Sequence, residues 1–415
     1  MNKHKQNIAI IGAGIIGLAC AVRLRKAGHS VTLIDKNEPG KGTSFGNAGH
    51  IATEQIHPLA SPQTIAALPK YLLDPTSPIK LPFRYLAQVT PWLLRFAYAS
   101  RPSQFKQGTA ALKSLQERAM SDLEILLETT GHPELLHQSG NLVVLENPAN
   151  IQAAQKEIST CTQQGIAVNW LSASEVKAIA PSLNNNIVGA MHFTKTGHVT
   201  NPYSICQALE EYLRKAGAIF INEEVLTLKH CLAGLEIITN NQTIQAEKAI
   251  ISAGAFSKKI ANNIGIYAPL ETERGYHIHL NNEATDFHLP IASYERKIIM
   301  TPMSDGLRAT GIVEFGGLNM PPRDKNFATI SNHVKDLLPN TSTHGASTWM
   351  GYRPSLPDHL PFIGYGDDSE RVICAFGHQH LGLTLCGVTA QLVEELIAGQ
   401  PTSVNLKPFA PSRFS

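Results

Sequence analysis

The chain has 415 residues, 43% of them hydrophobic and 16% charged. This is an ordinary globular composition with enough length for two domains with full cores, which excludes a disordered or fibrous protein. A formal net charge of +2, with no Lys/Arg-rich block, argues against a large electrostatic interface with nucleic acid. No uninterrupted apolar run of about 18 residues is present that would span a membrane. Met1 to Asn7 is short and polar, so no signal peptide is expected. The six cysteines, Cys20, Cys161, Cys206, Cys231, Cys374 and Cys386, form no C-x-x-C pair and read as reduced, mostly buried thiols of a cytoplasmic protein.

In chain order, Ile8 to Ile11 is a continuous apolar run, as expected for a strand covered on both faces of a parallel sheet. Gly12-Ala13-Gly14-Ile15-Ile16-Gly17 follows and opens a helix that runs to Lys26 and is closed by Gly28. Val31 to Ile34 is the next strand, ending in Asp35. This is G-x-G-x-x-G in the context it requires. Gly12 allows the turn, Gly14 admits a pyrophosphate to the backbone, and Gly17 lets the helix pack on the strand. The helix N-terminus offers N–H groups to phosphate, and Asp35 can accept a ribose hydroxyl. The pattern indicates a dinucleotide but not which one. The small-residue loop Thr43 to Gly49 then reads as a second backbone surface for a flat or anionic ligand.

Prolines at 58, 62, 69, 75, 78, 82 and 91 suggest short helices separated by turns. The stretch from Leu81 to Tyr98 is rich in aromatics with interspersed Arg. It suits an interfacial helix, although a helix packed on its own domain is the preferred reading. Gln104 to Thr130 reads as one long helix with Leu112, Leu115, Ala119, Leu123 and Leu126 or Leu127 on one face. Strands are expected at 140–145, 168–171 and 186–193. A helix behind the Asn201 cap has Pro202 at its first position. Strand 219–221 and a pair of strands around Gly234 follow. Lys248 to Phe256 reads as a strand, a glycine turn and a helix. Residues 271–317 are strand-rich, and 324–338 reads as a helix. The segment from Val372 through Thr384 reads as a strand, a polar glycine loop and a helix N-terminus, which can aim a second helix dipole at a ligand.

Taken together, the ordered motifs G-A-G-I-I-G, T-S-F-G-N-A-G, G-Y-R-P-S-L-P-D and G-H-Q-H-L-G-L-T resemble the FAD-dependent amine and amino-acid oxidoreductase family across essentially the whole chain. The likeness is strongest to bacterial D-amino acid dehydrogenases of the D-proline and hydroxy-D-proline type. It implies an α/β fold, with a Rossmann-like FAD-binding domain of the glutathione reductase type (1–60, 195–262 and 345–415). This is interleaved with an α+β substrate domain on an antiparallel sheet (61–194 and 263–344). The implied reaction is dehydrogenation of a D-amino acid or cyclic imino acid to the imine, then a 2-oxo acid, with hydride passing from Cα to flavin N5. Electrons would leave to a quinone or an electron-transfer protein. Alternatives are an oxygen-using glycine or sarcosine oxidase, or a flavin-binding subunit of a larger dehydrogenase. A flavin monooxygenase would need a second nucleotide motif, and none is seen.

Residue by residue, the resemblance implies that Gly12, Gly14, Ile15, Ile16 and Gly17 hold the pyrophosphate, and Asp35 and Lys36 the adenosine side. Ser44, Asn47, Ala48 and Gly49 would line the flavin. Val225 would contact adenine, and Ala253, Gly254 and Gly377 would lie near the cofactor. Leu381, Gly382, Leu383 and Thr384 would bring N–H groups to the flavin N1–O2 edge. Arg353 would pair with the substrate carboxylate, for which a planar bidentate cation is suited. Tyr276 would bind the carboxylate or cover the pocket, and His378 and His50 would sit beside the flavin and substrate. The His277/His279 and His378/His380 pairs lack a third ligand at motif spacing, so no metal is expected. Gly46 stands where some relatives carry a flavin-linking His, which implies non-covalent FAD. The implied location is cytoplasmic, or peripheral on the inner face of the cell membrane. Homo- or hetero-oligomers are compatible with all of this.

Overall fold

The computed structural model describes residues 5–73 and 77–414. The expectations for the first four residues and for Pro75 lie outside the described residues. Asn7–Ile11 is a strand whose Ile8, Ala9 and Ile10 have no exposed surface. It is central to a six-stranded sheet ordered Ile219–Asn222, Ser30–Asp35, Asn7–Ile11, Lys248–Ile251, Val372–Phe376 and Phe362–Tyr365. The first five strands run parallel and the last is antiparallel to its neighbour. From Asn7–Ile11 the chain first moves to one side, and only much later adds Lys248–Ile251 on the other. That reversal of strand order opens a crevice beyond the carboxyl ends of the strands.

Two glycines make the crevice. Gly12 has φ +104°, and a Cβ there would stand 2.6 Å from the Ser252 carbonyl oxygen. A Cβ on Gly17 would stand 1.9 Å from the Gly12 carbonyl oxygen. One face of the sheet is covered by helices Ile15–Lys26, Pro202–Lys215 and Gly382–Ile397, through Leu18, Val22, Leu209, Cys386 and Val393. The other is covered by a three-stranded antiparallel meander through Leu228, Leu235 and Ile237.

The second unit is built on a nine-stranded sheet. Its main path is Ser347–Ser355, Glu271–Asn281, Gly306–Phe315, Ile299–Met303, Ile291–Ser293, Asn141–Leu145, Gly189–Phe193 and Val168–Ser172. The pairs are antiparallel except those of Ile291–Ser293 with Asn141–Leu145 and of Ile79–Lys80 with Gly306–Phe315. Helix Asp324–Leu337 closes one face through Ile330, Val334 and Leu337.

Two segments sit elsewhere than the sequence division places them. Strand Ser347–Ser355, grouped with the nucleotide-binding unit, is hydrogen-bonded along its length to Glu271–Asn281 in the larger sheet. Helix Pro102–Thr130, grouped with the substrate unit, carries Leu123, Leu126 and Leu127 into the core of the nucleotide layer. It lies so close to helix Gly382–Ile397 that a Cβ on Gly387 would meet the Asp122 backbone at 2.5 Å.

The proline-rich region holds helices Pro62–Leu73 and Leu86–Ala99. Pro91 lies inside the second, rather than at a turn. It is exposed, so the one carbonyl it leaves unbonded faces water, while Val89, Trp92 and Phe96 hold the opposite side. This inner side packs on Ala60 and Phe315, in keeping with the preferred reading of the segment. All six cysteines are free thiols, and five are buried. No described helix is long and apolar enough to cross a membrane.

Gly17→Ala is expected to lower unfolding free energy by about 1–3 kcal/mol, because the added methyl overlaps a backbone oxygen that cannot move without opening the turn. Denaturant titration checks this, and a loss below about 0.5 kcal/mol would contradict it.

Candidate functional site

A cavity of about 620 Å³ fills the crevice and runs from the Gly12–Gly14 turn to the N-terminus of helix Gly382–Ile397. At the first end, Asp35 Oδ2 accepts from the Ala13 N–H at 2.8 Å and Oδ1 from the Asn37 N–H at 2.9 Å. Burial raises the Asp35 pKa, and these N–H donors oppose the rise. Each carboxylate oxygen keeps a lone pair for a further donor. Ser44 Oγ accepts from the Ile15 N–H at 3.0 Å, tying the loop 43–49 to the glycine turn. At the far end, Gly382 and Leu383 border the cavity with helix-start N–H groups that no preceding helical carbonyl can reach. No acidic side chain occupies that first turn. The site therefore offers a ribose acceptor and a helix N-terminus at one end, and a second helix N-terminus at the other. Gly254 and Gly377 add flat backbone to the walls between them. This is a fit to a long dinucleotide whose distant ring accepts negative charge.

Of the residues expected here, Gly12, Gly14, Ile15, Ile16, Asp35, Lys36, Ser44, Asn47, Val225, Ala253, Gly254, Gly377, Gly382 and Leu383 border the cavity. Gly17, Ala48, Gly49, Leu381 and Thr384 do not, and several have other tasks. Gly17 packs the helix on the turn. Gly49 lies against the Val199 carbonyl, with its N–H donated to Asn47 Oδ1 at 2.8 Å. Leu381 is in a core cluster with Leu112 and Leu385. The Thr384 hydroxyl accepts from the Ala52 N–H at 3.1 Å.

The loop 43–49 is held onto the larger sheet by side chains that the sequence did not single out for this role. Arg308 Nη1 donates to the carbonyls of Asn47 (2.7 Å) and Phe45 (3.3 Å). His277 Nδ1 bonds the Gly46 carbonyl at 3.0 Å. Trp349 stacks on His277 with ring centroids 5.2 Å apart and lies so close under the loop that a Cβ on Gly46 would be 2.1 Å from its ring. Burial lowers Arg308 to about 10, so it stays charged at neutral pH. Burial lowers His277 to about 3, so the ring is neutral and carries its proton on Nδ1. The signal available in the sequence was the alternation of His277 and His279 with Tyr276, Ile278 and Leu280.

Beside this loop, Arg353 stands directly across from Glu273 in the antiparallel register. Its guanidinium leans over Gly275, where a Cβ would be 2.7 Å from Cζ. Burial lowers its pKa, and Glu273 pulls in the other direction. Among the described residues no carboxylate lies within ion-pair distance of it. Its neighbours Tyr352 and Pro354 border the cavity. The Gln379 N–H donates to the Pro354 carbonyl at 3.1 Å, which stitches the 377–381 loop to this strand. That brings His380 close enough for Arg353 to depress its pKa, although burial is the larger cause and holds it at about 3. His380 Nε2 pairs with Gln55 Oε1 at 2.6 Å.

Two expected residues, Tyr276 and His50, are corrected, and the third, His378, stands at the cavity. Tyr276 points to the opposite face from Arg353, with no exposed surface, edge-on to Phe327 and hydrogen-bonded through its hydroxyl to Glu314. The alternation of strand side chains sends residues 273, 275 and 277 to the side of Arg353 and the loop 43–49, and 276 and 278 into the core. His378 borders the cavity, but its Nε2 is bonded to Thr389 Oγ1 at 2.9 Å and burial holds it neutral, at about 3. His50 has both ring nitrogens engaged, with Glu54 Oε1 at 2.9 Å and the Gly197 carbonyl at 3.2 Å. Neither Tyr276 nor His50 presents a free polar atom to a substrate. Among the described residues no group of three or more His, Cys, Asp or Glu side chains is placed to hold a metal ion.

The fold and cavity define a dinucleotide-binding oxidoreductase. The chain matches the model of the DAO family, FAD dependent oxidoreductase, over residues 7–396, and it belongs to that family. It is 32% identical to a D-amino-acid oxidase of Bradyrhizobium diazoefficiens over 99% of both chains. It is 28% identical to a D-amino acid dehydrogenase of Helicobacter pylori over 94% of this chain and 95% of the relative. The crystal structure of glycine oxidase from Geobacillus kaustophilus superposes with a TM-score of 0.75 at 22% identity over 99% of both chains, which shows the shared fold.

Arg308→Met is expected to weaken FAD binding by about tenfold or more, the loss of a charge-assisted hydrogen bond. Fluorescence titration of the apoprotein with FAD measures it, and unchanged affinity would remove Arg308 from this role. A second expectation concerns pH. His198, His277 and His378 are held by burial at about 4, 3 and 3. Between pH 6.5 and about 4 the unfolded chain carries protons on these rings that the folded chain does not. Stability is therefore full above pH 6.5 and falls as pH drops, by up to about 1.4 kcal/mol per unit per ring. Melting temperatures measured from pH 7 to 5 should fall, and a flat profile would contradict this.

Proposed function

We propose that the protein dehydrogenates a D-amino acid or cyclic imino acid of the D-proline or hydroxy-D-proline type to its imine, and passes electrons to a quinone or another non-oxygen acceptor. The observation that carries the reading is Arg353, a half-buried guanidinium with no carboxylate at ion-pair distance among the described residues, whose neighbours Tyr352 and Pro354 border the cavity. The D-configuration rests on the ordered motifs and on what the relatives are named for, and the cyclic substrate on the motifs alone.

Bound FAD supplies a two-electron acceptor for the hydride of the substrate Cα. The chain does the rest. Arg353 holds the substrate carboxylate through two parallel N–H donors and so sets the direction of Cα. Neutral His380 and Gln55 beside it add no charge that would compete for that carboxylate. The loop 43–49, held by Arg308 and His277, would form a wall for the cofactor. The N–H groups at Gly382 and Leu383 would favour negative charge on a ring placed beside them. The substrate amine reaches the site neutral, and orientation supplies much of the rate, so no side chain is required as a dedicated base. The resulting imine hydrolyses in water, or stays cyclic for a proline-like substrate. FAD is held without a covalent bond in this reading, since residue 46 is Gly and Cys386 is buried within a helix.

The relative named as an oxidase supports a second reading, with dioxygen as acceptor. The experiment is anaerobic bleaching of the holoenzyme's flavin absorbance against D- and L-amino acids, both proline isomers, glycine and sarcosine. Rapid bleaching by a D-isomer or D-proline is expected. Bleaching by L-isomers or sarcosine alone would refute the proposal. Reoxidation by a soluble quinone but slowly by air separates the two acceptors. Arg353→Ala should raise KM by about 100-fold or more with FAD retained, and unchanged kinetics would remove the residue from substrate binding.

A further inference from the structure

We propose that helix Leu86–Ala99, with the turn before it, is a docking surface for an anionic phospholipid bilayer. The helix is apolar on both sides. Val89, Trp92 and Phe96 face inward, and Trp92 Nε1 donates to the Ser355 carbonyl at 3.2 Å. At 100° per residue, Leu86, Ala87, Pro91, Leu94, Ala97 and Tyr98 share the outward arc, interrupted only by Thr90. All of them are exposed. Leu94 is 68% exposed, Tyr98 55%, and Phe83 in the preceding turn 94%. A helix with apolar residues on both faces is ordinarily covered on both.

Charge selects what covers it. Between Asp74 and Glu117 the sequence has no acidic residue, but it has Lys80, Arg84, Arg95, Arg101, Lys106 and Lys113. The whole chain carries only +2, so the rest of the sequence is net negative; Lys113 is paired with Glu117 at 3.6 Å, which leaves Arg84, Arg95 and Arg101 as the cations nearest the helix in sequence. Arg84, Arg95 and Arg101 rim the apolar arc, and the Arg101 guanidinium lies 4.6 Å from the Tyr98 ring centroid. A narrow apolar stripe edged by Arg, with aromatics at the boundary, matches the interface of an anionic bilayer. A second copy of the chain fits poorly, because a two-fold contact would set these arginines against their own images.

The location deepens the reaction proposed above by naming where its acceptor resides, and only this consequence rests on that reading. The inward side of the helix touches Ser355 and His359, beside Arg353. A lipid-soluble quinone would meet the protein about one helix diameter, roughly 10 Å, from the substrate cleft.

The test is co-sedimentation of the FAD-loaded full chain with phosphatidylcholine vesicles, with and without about one part in three of phosphatidylglycerol, at low and high salt. Binding to the anionic vesicles, weakened by salt, is expected. Leu94→Glu with Tyr98→Glu should lower the bound fraction at least about tenfold, leaving melting temperature and activity with a soluble dye acceptor unchanged. Arg84→Glu with Arg95→Glu should reduce binding to anionic vesicles. Absence of sedimentation, equal binding to neutral vesicles, native-like binding by the variants, or a dimer abolished by Leu94→Glu would each overturn the proposal. Dye-linked activity is read separately, so failure of the proposed reaction does not pass for failure of membrane binding.

Discussion

The two sheets meet through the loop 43–49, and the site depends on how that loop is held. From one side Ser44 caps the first N–H of the glycine-turn helix. From the other, buried Arg308 and neutral His277 take the carbonyls of Phe45, Gly46 and Asn47. Trp349 fills the space beneath. Backbone carbonyls withdrawn from water need such donors, and a charged guanidinium supplies a stronger one than a neutral group would. The loop is thereby a shared wall. It belongs to the nucleotide-binding unit by sequence and to the larger sheet by its hydrogen bonds.

One face of the larger sheet is polar. Glu273, His277, His279, Arg308 and Arg353 share it, on the side that holds the loop 43–49, and Tyr276, Ile278 and Leu280 lie on the side toward helix Asp324–Leu337. The Tyr276 hydroxyl is not idle. With Arg274 and Arg323 it satisfies the wholly buried Glu314. One strand, Glu271–Asn281, thus packs the domain core through Tyr276, Ile278 and Leu280 and holds the loop 43–49 through His277.

Most of the elements were legible because their patterns are long and periodic. The long helix was recognised from Leu112 to Leu127, and the nucleotide unit from a glycine turn whose steric demands are local. What was missed depends on neighbours distant in sequence. The strand Ser347–Ser355 carries little periodicity of its own, and its pairing partner lies more than sixty positions earlier. Helix Pro102–Thr130 showed its apolar face plainly, but an apolar stripe does not say which of two cores it enters.

By itself the sequence determined the dinucleotide cradle and the family, because each rests on residue type at short spacing. Only the tertiary structure decided which face of each strand looks onto the cavity. It turned Tyr276 inward, locked His50 and His378 onto other partners, and recruited Arg308 and Trp349. A strand's period of two groups its side chains into two sets. The packing of the sheet against its helix and its neighbouring domain then decides which set faces the site.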